Sequence, residues 1–184
     1  DYIIFVDESI EYAPDAKMLG YEVSIDLDGY YTRMNKLFDN LEESLGMSVV
    51  IGASGKYIYP KNRFGGRDII YKKTFSLIEH ATLVVGHTSS ALDHNIKCKK
   101  PMLFIDDKSF TQFKRDGFKY VITLIGSNIY MSDEVSNKYI EYILKKENKD
   151  FYRLVNDYFK EDGVNEDYRE IMAKAFRESI SNRS

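Results

Sequence analysis

The chain has 184 residues, of which 43% are hydrophobic and 30% charged, a composition typical of a globular protein that can bury a full core. Its net charge of -3 and pI of about 5.7 argue against general nucleic-acid binding, which needs a basic face. The single cysteine, Cys98, excludes an intrachain disulfide and a multi-cysteine zinc site. No apolar run approaches the roughly 20 residues that a membrane span requires.

The first half of the chain alternates between strand and helix patterns. Hydrophobic spacing and glycine positions predict a strand at 2–6, a long loop at 7–28, a helix at 29–46 that stops at Gly46, a strand at 47–53, a loop at 54–67 and a short strand at 68–71.

The second half continues the alternation and ends in helices. The patterns predict a helix at 74–81 with Thr74 as N-cap, a strand at 82–86, a helix at 88–97, a strand at 101–105, a helix at 110–116, a last strand at 120–125 and a charged helical tail at about 136–184 that is broken near Gly163.

The strands are continuous apolar runs rather than alternating ones, and helices separate them. This combination predicts an α/β fold with a doubly wound parallel sheet covered on both faces. We expect one domain over residues 1–184, tail included. Because the sequence opens directly on a strand, we also expect it to be part of a larger two-domain chain.

Ligands of doubly wound sheets bind beyond the carboxyl ends of the strands. The segment Gly86-His87-Thr88-Ser89-Ser90 follows such a strand and opens a helix. Backbone N–H groups, hydroxyls and the imidazole there form a candidate anion site. An ordinary helix N-cap explains the same residues equally well.

A second candidate is the loop after the strand at 47–53. Ser54 and Gly55 let a ligand approach the backbone, and Lys56 can neutralise a phosphate. Further along, Arg67 follows two glycines and can contact a phosphate in bidentate fashion. A solvated loop with a surface arginine is the alternative.

Acidic side chains provide a third candidate. Asp7 and Glu8 follow the first strand, and Asp15 lies beyond them, so all three are candidate cleft acids for a base or ribose. His80 and His94 are interpreted as structural or exposed, and the sequence predicts no metal site, because no histidine pair has the helical spacing of metal ligands.

Three segments taken together resemble the C-terminal domain of GT-B-fold glycosyltransferases of the capsule and lipopolysaccharide type. They are FVDESIEYAPD with its Pro14-Asp15 pair, VVIGASGKYIYPKNRFGGRDIIYKKT, and LVVGHTSSALDHNIKCKKPMLFI. The resemblance covers about residues 1–106 well and the helical tail loosely.

This resemblance implies a Rossmann-like domain that binds the nucleotide of a sugar donor, possible donors being CMP- or UDP-linked. It places His87, Thr88, Ser89 and Ser90 at the donor phosphates, and matches Lys56 and Arg67 to the family's basic loop. It implies no metal or other cofactor, a glycan or lipid-linked acceptor held through a partner domain, and a cytoplasmic location, at most peripheral to the inner membrane.

One position departs from the family pattern. Relatives often carry a His-Pro pair where this chain has Ser54-Gly55, and that pair helps to hold the nucleotide. The departure motivates a second hypothesis, in which the domain binds a nucleotide or a partner without catalysing transfer. The catalytic residue of the enzyme hypothesis stays unassigned.

Overall fold

The computed structural model describes residues 1–12, 25–87, 89, 91–112, 114–116, 119, 122 and 129–145, with Leu92 and Asp93 by their backbone alone. Of the predicted site residues, Asp15, Thr88 and Ser90 lie outside this part, as does Pro14. The helical tail lies outside it beyond residue 145.

Six parallel strands form one sheet in the described residues. They are β1 Ile3–Val6, β2 Val49–Ala53, β3 Ile69–Tyr71, β4 Leu83–Gly86, β5 Met102–Asp106 and β6 Ile129–Met131, in the spatial order β3-β2-β1-β4-β5-β6. Every pairing is parallel; Ile3, for example, lies opposite both Val49 and Leu83. The four residues of β1 are at most 2% exposed, which explains why the run is continuously apolar. The predicted α/β fold is therefore confirmed.

The longest described helix, α1 (Leu27–Leu45), connects β1 to β2 along the chain. The Asp26 carboxylate accepts a hydrogen bond from the Gly29 N–H at its start, and Gly46 ends it in the left-handed conformation with φ 63°. The buried face carries Tyr30, Tyr31, Met34, Leu37, Phe38 and Leu41. The helix thus begins two residues earlier than its spacing predicts, because the cap precedes the apolar stripe.

Two shorter helices pack against each other. In α2 (Thr74–His80) the N-cap is Lys73, so the prediction of Thr74 as cap is wrong by one position. The helix α3 (Leu92–Cys98) begins later than predicted, after the N-cap Ala91, which makes no side-chain capping bond. Ser89, the described hydroxyl residue before α3, therefore belongs to a loop rather than to the helix itself.

The strand predicted at 120–125 is also wrong where the structure describes it. Ile122 is helical and 2% exposed, and the edge strand is β6 instead. A short buried helix and a buried strand have the same apolar content, so periodicity alone could not separate them. A last helix, α4 (Asn137–Lys145), lies within the predicted helical tail.

Candidate functional site

The carboxyl ends of the parallel strands meet at one edge of the sheet. The strand order reverses between β1 and β4, which are neighbours although β2 and β3 separate them along the chain. Val6 and Gly86 are register partners at the ends of these two strands, so Asp7 and His87 come next on either side. In doubly wound sheets such a reversal opens the crevice in which ligands bind.

Asp7 is held in place by the loop that follows β2. Its Oδ2 accepts hydrogen bonds from the Tyr59 hydroxyl at 2.7 Å and the Ser9 hydroxyl at 3.4 Å, and the residue is only 8% exposed. Burial raises the pKa of Asp7, and these hydrogen bonds oppose the shift without cancelling it. The structure thus places a largely buried carboxyl group with a raised pKa at the crevice.

The neighbouring acid, Glu8, contacts the segment after β5. Its Oε2 lies 2.9 Å from Nζ of Lys114, whose ammonium group is 4.7 Å from the centre of the Phe110 ring. This ion pair links the loops at the ends of β1 and β5. Of the three predicted cleft acids, the structure brings Asp7 and Glu8 to the same edge.

An aromatic pair lies beside the Asp7 loop. The rings of Tyr12 and Tyr57 are parallel within 3°, with centroids 3.9 Å apart, and Tyr59 packs edge-on against Tyr12. Tyr57 and Tyr59 come from the loop after β2, so two loops of the carboxyl edge join here. The pair presents flat π surface close to the crevice.

His87 is a buried connector at the end of β4. Its Nδ1 lies 2.5 Å from the carbonyl oxygen of Ile105 in β5, and its Nε2 lies 2.9 Å from the hydroxyl of Tyr30 in α1. A carbonyl only accepts, so Nδ1 carries the proton and donates it, and Nε2 accepts from Tyr30. The Phe110 ring packs edge-on at 4.8 Å.

The same surroundings fix the charge of the imidazole. Burial, followed by the nearby positive charge of Lys114, lowers the pKa of His87 from 6.5 to about 3. The ring is therefore neutral at physiological pH and only 1% exposed. It joins α1, β4 and β5 through both ring nitrogens, and the contact with donor phosphates that the resemblance implies stays a prediction.

Ser89 is the described member of the hydroxyl cluster after His87. Its side chain is half-buried, and its Oγ accepts a hydrogen bond from the Ala91 N–H at 3.2 Å. This short-range bond closes a turn ahead of α3. The hydroxyl keeps its own hydrogen as a donor for a further partner.

The loop after β2 places cations at the carboxyl edge. Ser54 and Lys56 are exposed, and the Ser54 hydroxyl accepts from the Lys56 N–H at 3.3 Å. Between them, Gly55 has φ 80°, and a Cβ there would lie 2.7 Å from Cγ of Lys72. The glycine is thus required both by the backbone angle and by the lysine stem that crosses it.

Lys72 itself was missed by sequence reasoning. It follows β3 directly, is exposed, and has φ 59°, an uncommon angle for a residue other than glycine. Its position after a strand, next to Lys73, was the available signal. With Lys56 it forms the lysine edge, which we define as the exposed ammonium groups of Lys56 and Lys72 at the ends of β2 and β3.

Arg67 has a different place from the one expected. Its guanidinium binds the carboxylates of Asp39 and Glu42 on α1 at 2.5 and 2.6 Å, and its side chain is only 8% exposed. Burial opposes the charge, but these acids outweigh it and raise the pKa of Arg67. Arg67 thus anchors its loop on α1, and its contact with a phosphate stays a prediction.

A second connector that sequence reasoning missed lies at the end of β5. The Asp107 side chain is fully buried and accepts two hydrogen bonds from Arg33 of α1, at 2.8 and 2.6 Å. Ser132, directly after β6, donates to it at 2.8 Å. Burial would raise the pKa of Asp107, but the bonds from Arg33, Ser109 and Ser132 lower it overall.

These observations define the class of the protein as a doubly wound, Rossmann-like α/β domain with its crevice between β1 and β4. No protein-family model matches the chain, and no curated protein does. None of the described helices is long and apolar enough to cross a membrane.

Among solved structures, the chain is similar to the crystal structure of a glycosyltransferase of kitacinnamycin. The identity is 10% and the TM-score 0.49, and the match covers 84% of this chain. The chain spans 38% of the length of that structure. The assignment of the fold rests on the strand order and not on this similarity.

Proposed function

We propose that the domain binds the nucleotide part of a nucleotide-sugar donor for a glycosyltransferase of bacterial surface polysaccharide synthesis. The observation that carries the proposal is the reversal of strand order between β1 and β4, since it opens a ligand crevice at the carboxyl edge. The three sequence segments that resemble the capsule and lipopolysaccharide enzymes supply the substrate class.

The polar groups along the carboxyl edge of the sheet suit the parts of such a donor. The lysine edge offers two exposed cations to the diphosphate, and the Ser89 hydroxyl can donate to a phosphate oxygen. Asp7 is a hydrogen-bond acceptor for ribose hydroxyls, and the Tyr12–Tyr57 pair offers a ring face for the base. Thr88 and Ser90 stay in the proposed site on the resemblance alone.

Transfer requires that the sugar–phosphate bond breaks while negative charge accumulates on the departing diphosphate. Fixed cations that stabilise this charge lower the barrier without a metal ion. Lys56 and Lys72 are the residues of this chain that we assign to that task. The acceptor and the group that takes its proton come from a partner domain in this proposal.

The test is isothermal titration of CMP, UDP, GDP and dTDP, followed by sugar conjugates of the nucleotide that binds. We expect one nucleotide to bind selectively and the double variant Lys56→Ala/Lys72→Ala to weaken it at least about tenfold, since each phosphate hydrogen bond to a charged group contributes about 1.5–3 kcal/mol.

A matched control is Lys100→Ala, which removes the same charge just before β5, at the opposite edge of the sheet. Its affinity should equal that of the unmodified chain. Lack of binding by all four nucleotides, or equal losses in the control and the double variant, would contradict the proposal.

A second candidate is a non-catalytic nucleotide- or partner-binding domain of the same fold. It is favoured by the internal use of His87 and Arg67, which leaves fewer side chains for transition-state stabilisation. This candidate predicts nucleotide binding without transfer when the protein is supplied with donor and acceptor. Product formation that requires Lys56 and Lys72 would exclude it.

A further inference from the structure

Three metal-binding side chains converge on the surface between α2 and α3. Glu79 lies in the last turn of α2, and His94 and Cys98 lie four residues apart on one face of α3. One ligand atom from each, a carboxylate oxygen, an imidazole nitrogen and the thiol sulfur, lie within 4.8 Å of one another. The cluster is remote in sequence from the loops after β1 and β2 that form the crevice.

The spacing is close to that of a bound zinc ion. Zinc bonds of about 2.0–2.3 Å in a tetrahedron put ligand atoms roughly 3.3–3.7 Å apart, so small side-chain rotations would close the set. His94 Nε2 already lies 3.1 Å from Glu79 Oε1. The Phe75 ring packs on the imidazole at 4.8 Å and restricts its orientation.

The types of ligand atom select the ion. A thiolate and an imidazole favour zinc over magnesium or calcium, which prefer oxygen ligands, and a carboxylate oxygen is also a zinc ligand. The Glu79 and His94 side chains are 44% and 18% exposed, so an ion can enter from solvent. Three protein ligands leave the fourth position to water.

We propose that Glu79, His94 and Cys98 bind one Zn²⁺ ion that links α2 to α3. On binding, the thiol loses its proton to solvent and the sulfur forms the bond to zinc. The link would hold the start of α3, which has no side-chain cap, in place after β4.

The sequence predicts no metal site, because no pair of histidines has the helical spacing of metal ligands. The three proposed ligands lie on two helices: the carboxylate on α2, and the imidazole and the thiol on α3. Their sequence signal was limited to the His94–Cys98 spacing, and only the packing of α2 on α3 adds the carboxylate.

The first test titrates the chain, without a histidine tag, with Co²⁺ as a spectroscopic substitute for Zn²⁺. The chain has a single cysteine, so a thiolate-to-cobalt charge-transfer band in the near ultraviolet can only come from Cys98. We expect a band that saturates at one equivalent and disappears when Zn²⁺ displaces the cobalt. No band at saturating cobalt would overturn the proposal.

Variants then test the other two ligands. Cys98→Ser should abolish the band. His94→Gln and Glu79→Gln should each weaken metal binding by more than about tenfold, because loss of a partner that only hydrogen-bonds to a metal ligand already costs roughly that much. His80→Gln is the matched control, because His80 lies next to Glu79 but bonds to the Ser76 carbonyl. Unchanged affinity in both His94→Gln and Glu79→Gln would refute the three-residue site.

A melting experiment separates loss of the metal from loss of the fold. At a hundredfold excess of Zn²⁺ over its dissociation constant, the melting temperature of the unmodified chain should rise by about 5–10 °C. Cys98→Ser should melt near the metal-free temperature of the unmodified chain and show no rise. An equal rise in this variant would place the zinc elsewhere and overturn the proposal.

Discussion

At the ends of β2 and β3, the polar side chains are lysines exposed to solvent, whereas at the ends of β4 and β5 they are an imidazole and a carboxylate almost fully buried. Lys56 and Lys72 belong to the first group, and His87 and Asp107 to the second. Both groups follow strands of the same sheet edge. Position after a strand at this edge therefore does not by itself decide whether a polar side chain faces solvent or is used inside the fold.

The largest expected change in the free energy of unfolding comes from the buried group. Arg33→Ala leaves the fully buried carboxylate of Asp107 without its cation, and we expect the free energy of unfolding to fall by about 3–5 kcal/mol. Urea denaturation followed by circular dichroism measures the change. The control Lys145→Ala removes an exposed ion pair with Glu141 and should change stability very little.

The second largest expected effect is a loss of stability in acid through His87. The pKa of His87 is about 3 in the folded chain, whereas the ordinary value of 6.5 applies to the unfolded chain. Between these two values the imidazole is protonated in the unfolded state and neutral in the folded state. This histidine's stabilisation is complete above pH 6.5 and is lost as the pH falls towards 3, by up to about 1.4 kcal/mol per pH unit. Urea midpoints measured across this range should fall with pH.

The control for the acid experiment is His87→Asn, which removes the titrating group. Above pH 6.5 this variant should be less stable than the unmodified chain, because the Tyr30 hydroxyl and the Ile105 carbonyl lose their partner. Its stability should depend less on pH than that of the unmodified chain. Equal pH dependence in both would mean that other groups cause the acid sensitivity.

The smallest expected effect belongs to the exposed group. Lys72→Ala removes an ammonium group that is exposed to solvent, so the free energy of unfolding should change by less than about 0.5 kcal/mol. Differential scanning calorimetry without ligand can measure it. A loss of more than 1 kcal/mol would show that the lysine stem over Gly55 stabilises the loop, and would weaken the contrast between the two groups.

The sequence predicted the architecture well because buried parallel strands have an unmistakable pattern. The runs at β1, β2 and β4 contain no charged residue, β5 has one only at its last position, Asp106, and Gly46 marks the end of α1. The error near Ile122 arose because a short buried run has no distinguishing period. Order along the chain also could not give the spatial order of the strands.

The candidate site was harder to predict because composition does not reveal partners. The sequence predicts ligand contacts for His87 and Arg67, whereas the structure pairs them with side chains of α1: Tyr30, Asp39 and Glu42. Nothing local to either residue indicated that pairing. For Lys56, the position after a strand is enough to predict a candidate ligand contact. The same signal is present for Lys72.

The central position of β1 has a consequence for how the chain folds. Among the described strands β1 comes first along the chain, yet its partners, β2 and β4, both follow it at a distance, and four described elements lie between β1 and β4. Closing such long loops costs entropy before the contacts repay it, which slows folding. We therefore expect the pairing of β1 with β4 to form late in folding. Until it forms, one edge of β1 can pair with the wrong strand.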